Sequence, residues 1–419
     1  MLALLQLLLI VVSGSLRGTS PINETLCLSD RSMFVDATGY YRQQMFQKEV
    51  LMAVKSSYTR LQAAIKSFNP PTPGNLVTRA VTGYLPGGDA KYLREFRVLL
   101  LSVGVMRTFQ SELVKTDVVI FTDSQTARGL QSLGCSDNKR RAKSDPEQCI
   151  IVVHDSLKSK KQEDPLNDYP NADSIEYLLH LPNPEFYDFV LRGDLDTFIT
   201  PGFANWMPYI QEGQSGFLFV GRGGYGTREA VARLRSFAHE LEIPYNNIHN
   251  VGSTWYGATT VIIALSDFSV QLMRYLAINA FTEYERCCNG VDGWPTWHRP
   301  VLSMYSGDLA VNALRLDQVR QHGDGFFMDF GCDQIGKLSP HIKHLHCWHT
   351  RNRFSKFVFA EGGYEALDLS PHMNMDTPAD YATVIAISAA RLTDAELKDT
   401  LGDIDGLKAR KWLRIQPYR

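Results

Sequence analysis

An α/β sandwich around a mostly parallel sheet is the fold this sequence predicts, and three observations lead to it. Short apolar runs alternate with segments of helical periodicity between residues 76 and 284. Several of those runs end in polar or acidic residues, the pattern of buried strands whose carboxyl ends face a ligand. The composition is that of a folded chain of 419 residues, 44% hydrophobic and 11% aromatic.

The chain opens with MLALLQLLLIVVSGSLRG, a short apolar run followed by small residues. It is short for a bilayer span and fits a signal peptide cut near Ser13-Gly14-Ser15, or a short signal anchor, over residues 1–20. Either sends the chain into the secretory pathway, to the Golgi or ER lumen or to secretion; a membrane is a partner only if the segment stays as an anchor. Asn23-Glu24-Thr25 is a sequon that fits a lumenal location. Residues 21–71 read as a stem and helical lead-in, with apolar residues at helical spacing through Met45, Val50, Leu51, Val54, Tyr58, Leu61 and Ile65. Pro70-Pro71-Thr72-Pro73-Gly74 breaks the helix and opens a domain expected over residues 72–365.

Within it, Leu76–Tyr84 reads as a strand and residues 90–113 as a helix. Asp117–Thr122 is a buried strand ending at Asp123, Cys149–His154 is another, and Asp173–Leu181 is a helix with an Asn/Asp cap. Phe189-Val190-Leu191 is the next strand. Gly216–Val220 leads to a glycine loop over 221–226, then a helix over 227–241, a strand over Tyr256–Ala264 and a long helix over Asp267–Tyr284. Residues 366–419 form a C-terminal extension with a helix near 378–391 and a charged tail.

With 43 basic and 45 acidic side chains, net charge is −2, so no broad cationic surface for nucleic acid is implied. Seven cysteines, at 27, 135, 149, 287, 288, 332 and 347, lack the C-x-x-C pairs of a zinc site. Cys135 and Cys149 flank a polar, basic segment and would close a surface loop; the other connectivities stay open.

Asp194-x-Asp196 carries the most chemistry. Two carboxylates at the end of a core strand concentrate a negative charge that is costly unless a cation or donors balance it. Thr197-Phe198-Ile199 resumes apolar sequence at once, which a solvated turn rarely does. A divalent cation carrying a diphosphate suits such oxygens, Mn²⁺ or Mg²⁺. Asn250-x-Gly252 offers an amide for sugar hydroxyls and a place for a ligand to approach the backbone, or else a plain turn. Asp308 is expected at or near a helix N-cap, as a cap or as a group for the sugar or acceptor. His341, His344, His346 and His349 lie within nine residues, with His344 and His346 on one face of a strand. An imidazole there can complete a shell that two carboxylates begin, and Lys356 can neutralise phosphate.

These pieces, in this order, resemble the GT-A (Rossmann-like) nucleotide-diphospho-sugar glycosyltransferases, of the glycogenin- and galactinol-synthase-like kind. The matching residues run from Gly83-Tyr84 and Phe121-Thr122-Asp123 through Asp194-x-Asp196, Asn250-x-Gly252 and Asp308-x-x-x-Asn312 to His349 and Lys356. The resemblance implies an α/β/α sandwich and a nucleotide sugar as donor, with Mn²⁺ or Mg²⁺ held by Asp194, Asp196 and either His346 or His349. It places Lys356 on phosphate, Tyr84 and Asp123 near the base, and Arg192 and Gly252 in the donor site. Asp308 and Asn250 come near the reacting sugar. The acceptor is a glycan, protein or lipid.

Two other functions are weighed beside it. A D-x-D phosphotransferase needs Thr four residues after the first Asp at the end of an unbroken apolar strand. Here Thr197 comes three after Asp194, and Arg192-Gly193 interrupt the run. An inactive lumenal carbohydrate-binding or scaffold protein on the same fold is the remaining alternative.

Overall fold

The structure is a computed structural model describing residues 37–407, with side chains from residue 46, apart from 138–141, 155–163, 168, 170, 208–217, 283–284, 286–296, 324–325, 349, 351–352 and 404–405. The expected signal or anchor segment, the sequon, Cys27, Cys287, Cys288, His349 and the tail after 407 lie outside the described residues. The chain divides into two compact units, 1–46 and 47–419, and all that follows concerns the second.

Nine-residue runs rich in β-branched side chains, VTRAVTGYL and VKTDVVIFT, form β1 (Val77–Leu85) and β2 (Val114–Thr122). They pair in parallel from Val77↔Val114 to Leu85↔Thr122. β3 (Cys149–Val153) lies parallel to β2, and β4 (Phe189–Arg192) lies parallel to β1 on its other side. β7 (Val251–Ala258) is antiparallel to β4 and to β6 (Leu218–Arg222), and β8 (Val319–Gln321) is parallel to β6. The order is β3-β2-β1-β4-β7-β6-β8. The expected sandwich with a mostly parallel sheet is therefore the fold. Among the described strands, the carboxyl ends of β3, β2, β1 and β4 share one edge, and the chain reverses its direction of travel at β1.

A second sheet, β5 (Thr197–Ile199), β10 (His344–His346) and β9 (Phe330–Gly331), sits beyond β4. β10 runs antiparallel to β5, with His346 opposite Thr197 and His344 opposite Ile199, and parallel to β9. Phe198 anchors this sheet, edge-on to Phe354 and Tyr381. Tyr381 belongs to the helix Pro378–Arg391, which Thr377 caps by accepting from Asp380 N–H, and its hydroxyl donates to Ile199 O at 2.7 Å. This C-terminal helix packs on the helix Ala90–Arg107, so residues beyond 365 build part of the same core.

The turn after β5 is fixed from the centre of the sheet. Arg79 of β1 is 1% exposed and donates to Thr116 Oγ1 at 2.7 Å, Phe203 O at 2.9 Å, Trp206 O at 3.0 Å and Ala204 O at 2.6 Å. A buried guanidinium thus satisfies the carbonyls that end the short 3-10 turn Pro201–Phe203.

Four expectations are corrected. The strand expected over Tyr256–Ala264 is β7 over Val251–Ala258, and the helix expected from Asp267 is Thr259–Asn279. In its first turns, TTVIIALS, Val261, Ile262 and Leu265 enter the core while the outer face carries Thr260, Ile263 and Ala264, so no charged stripe marks the helix. The helix expected to residue 113 ends at Arg107, because β2 begins at Val114. Asp173 is buried as the first residue of the helical turn Asp173–Glu176, whose N-cap position is Ala172 with no side-chain cap bond.

Candidate active site

β4 ends at Arg192, Gly193 turns the chain, and Asp194 and Asp196 follow at the carboxyl edge of the main sheet. Thr197 Oγ1 donates to Asp194 O at 2.7 Å, which fixes the backbone between the two acids. Arg192 is buried; its guanidinium donates to Ser174 O at 3.0 Å and to Ser253 O, stacks 5.2 Å from the Trp255 ring centre, and lies 3.6 Å from Asp194. Its donors are thus spent inside the protein, where they steady the first acid.

The two acids differ. The Asp194 side chain is 37% exposed, whereas that of Asp196 is 13% exposed and faces inward. Pairing of β10 with β5 brings His346 Nε2 to 3.5 Å from Asp196 Oδ1, and Lys356 Nζ donates to Asp196 Oδ2. Lys356 is the first residue of the short helix Lys356–Ala360. Burial pushes the Asp196 carboxyl up, but His346 and Lys356 outweigh it and hold the group well below the ordinary carboxylate range. Glu95, from the helix Ala90–Arg107, lines the same small cavity with Leu195, Asp196, Cys347 and Lys356. Burial, and then the charge of Asp196, push Glu95 up to about 7.

Behind His346 stands Asp329, a residue that sequence reasoning missed. It is fully buried, and its Oδ1 lies 3.4 Å from His346 Nδ1 and 3.4 Å from His344 Nδ1. Thr254 Oγ1 donates to that oxygen at 2.5 Å. Burial disfavours its charge, yet the bonds from His344 and His346 hold the carboxyl far below its ordinary value. For His346 burial opposes protonation, but Asp196 and Asp329 raise it well above the ordinary imidazole value. A signal for Asp329 existed: it is the lone acid in the apolar run Phe326-Phe327-Met328-Asp329-Phe330. The partner glycines could not be read there. A Cβ at Gly221 or Gly252 would sit 1.8 or 2.1 Å from Asp329 Oδ2, so the space expected to admit a ligand at Gly252 holds this carboxylate.

Asp194, Asp196 and His346 each offer a ligand atom, and those atoms lie within 4.8 Å of one another. Two carboxylates and an imidazole make a donor set for a hard-to-borderline divalent cation such as Mn²⁺. Asp329 on Nδ1 leaves Nε2 for a cation, the arrangement in which an outer carboxylate orients a ligating imidazole.

The other expected residues lie in two groups. Asp123 caps the helix Ser124–Leu130, accepting from Gln125 N–H at 2.8 Å and from Thr126 N–H at 3.0 Å, and Tyr84 is half-buried near the end of β1. Asn250 has φ +55°, and its side-chain oxygen accepts from Gly226 N–H, pinning the glycine loop. Asp308 is corrected: it lies inside the helix Leu302–Asn312, not at its start. Gly307, just before it, makes room for Trp255, whose Cζ2 would be 2.7 Å from a Cβ there. Asp308 accepts from Tyr225 at 2.8 Å, Tyr245 at 2.9 Å and Asn312 at 2.9 Å, and burial pushes it up to about 6. It serves as a buried hub of hydrogen bonds.

A second group, His154, Asp173 and Glu176, also brings ligand atoms within 4.8 Å of one another. Arg274 lies 3.8 Å from Glu176, and all three acid and imidazole groups have further partners inside the protein.

No curated protein matches the chain in sequence. Among solved structures it is similar to the crystal structure of mouse xyloside xylosyltransferase 1 in its apo form, with 11% identity, a TM-score of 0.31, and coverage of 60% of this chain and 86% of that one. A likeness of that size leaves function to be read from the site. The family model described as a domain of unknown function, DUF7164, matches residues 74–413, and the chain belongs to that family.

Proposed function

We propose that this protein is a metal-dependent glycosyltransferase that moves a sugar from a nucleotide diphosphate sugar to a glycan, protein or lipid acceptor in the secretory pathway. The observation that carries the reading is the meeting of Asp194, Asp196 and His346 with Lys356 at the carboxyl edge of the sheet. The edge is where α/β sheets bind ligands, and the reversal of strand order at β1 marks the crevice for a nucleotide. Asp194, Asp196 and His346 would hold Mn²⁺ or Mg²⁺, which when bound supplies Lewis-acid stabilisation of a leaving diphosphate. Lys356 adds a second positive charge for phosphate oxygens. Asp329 keeps Nε2 of His346 aimed at Asp196, and Arg192 steadies Asp194.

A thermal-shift screen of nucleoside diphosphates with and without Mn²⁺ tests the reading, because a ligand that binds the folded state raises its melting point. Stabilisation by one nucleoside diphosphate only with Mn²⁺ supports it; no stabilisation by any of them sinks it. One observation favours the inactive alternative. Lys356 already balances Asp196, so a site without cation or nucleotide is electrostatically complete. The same screen decides between the two.

A further inference from the structure

The two buried thiols at 332 and 347 lie beside the candidate metal ligand. In the parallel pairing of β9 and β10, His346 stands opposite Gly331, so the next residues, Cys347 and Cys332, face each other. Their Sγ atoms are 2.8 Å apart, closer than two sulfurs that share no bond ordinarily rest. Both are 3% exposed, and both backbones are tied to the site: Cys332 N–H donates to His346 O at 3.2 Å and Cys347 N–H to Asp196 O at 3.0 Å. Elsewhere the chain already carries a disulfide, Cys135–Cys149, which marks surroundings that oxidise thiols.

We propose that Cys332 and Cys347 form a second disulfide in the mature protein, a staple beside the Asp329–His346 pair. Its effect on metal binding rests on the site reading above. Burial keeps oxidants out of the finished fold, so the bond forms during folding by exchange with a disulfide oxidant. One cysteine, as its thiolate after losing a proton, attacks the oxidant and releases one of its sulfurs as a thiolate. The second cysteine, also deprotonated, attacks the first and releases the other. Two electrons and two protons leave the pair, and the oxidant becomes a dithiol. The bond joins cysteines 15 positions apart and closes a loop with Asp329 outside one end and His346 just inside the other. It fixes β9 against β10 where the imidazole must meet Asp196.

The test begins with the full chain made in an oxidising compartment, alkylated in denaturant without reductant, digested and mapped by mass spectrometry. A linked Cys332–Cys347 peptide, with neither residue alkylated, is the expected result. Alkylation of both while Cys135–Cys149 is found linked overturns the proposal. A Cys332→Ala/Cys347→Ala variant is then compared with the wild type for its melting point and for Mn²⁺ affinity by calorimetry. We expect a melting point lower by about 5 °C and Mn²⁺ binding weaker by roughly 10-fold. If the peptide is linked and Mn²⁺ affinity is unchanged, the coupling to the site is refuted. If the wild type binds no Mn²⁺, the metal reading fails, while the map still decides the disulfide.

Discussion

Asp329 lies 3.4 Å from Nδ1 of His346, on the side of the ring away from Asp196. The carboxylate fills space that glycines at 221 and 252 leave open. Asp329→Asn keeps the shape and removes the charge that orients the ring. Mn²⁺ affinity measured by calorimetry should fall by about 10- to 100-fold with the circular dichroism spectrum unchanged. Retained affinity would show that the pair only supports the fold.

Asp196 is the inner acid, engaged by both His346 and Lys356. In Asp196→Ala, Mn²⁺-dependent nucleoside diphosphate binding should disappear. Binding and turnover at the wild-type level would sink the transferase reading. Two donors also lose a buried partner, so stability should drop by about 1–3 kcal/mol in urea unfolding.

Lys356→Met should give effects of opposite sign. Without nucleotide, Mn²⁺ should bind more tightly, since the ammonium no longer competes for Asp196. With Mn²⁺ present, nucleoside diphosphate should bind more weakly, by about 1–2 kcal/mol, because a charge-assisted contact to phosphate is gone. A lysine that merely filled a core position would move the two affinities together or neither.

Asp308 supplies a pH dependence. Its carboxyl is raised from 3.8 to about 6 by burial, which outweighs the bonds from Tyr225, Tyr245 and Asn312. A raised folded-state value means that ionisation costs stability. The contribution of this group is full below 3.8, falls as pH rises, and levels off above about 6. Asp308→Asn does not titrate. Relative to the wild type, it should gain about 2 kcal/mol between about pH 4 and pH 7.5, read from urea midpoints at each pH. A constant difference would place the titration elsewhere.

Arg79 satisfies three backbone carbonyls behind the turn that ends β5. Arg79→Met takes a donor from each of those oxygens, although Phe203 O keeps Trp206 N–H and Trp206 O keeps the Tyr256 hydroxyl, and should cost about 1–3 kcal/mol. The urea midpoint should fall with little change in slope.

Much of this was legible in the chain because it is local. Asp194 and Asp196 stand out since an apolar strand stops at them and resumes at Thr197. Cys135 and Cys149 flank a polar segment and do form the disulfide. What could not be read depends on contacts distant in sequence. β7 contains Gly252, Ser253, Thr254 and Gly257, small or polar residues that resemble a turn, while the following TTVIIALS resembles a strand. Burial of the whole of β7 and of one face of the helix overrides both local preferences. Asp308 reads as a cap until the helix Leu302–Asn312 is seen to run through it, with Gly307 against Trp255. Asp329 gains its meaning only from His344, His346 and the two glycines around it.

The pairing of β5 with β10 has a consequence for biosynthesis. A ribosome finishes the acids before residue 200 and adds the imidazole only at residue 346, with Tyr381 of the supporting helix later still. The emerging amino-terminal strands can pair early, but the site closes through long-range contacts that form last and slowly. Until then the chain exposes Asp194 and Asp196 without their companion. A product cut short before residue 344 would hold all seven strands of the main sheet and both acids but not the imidazole, so the centre is complete only once synthesis has passed residue 346.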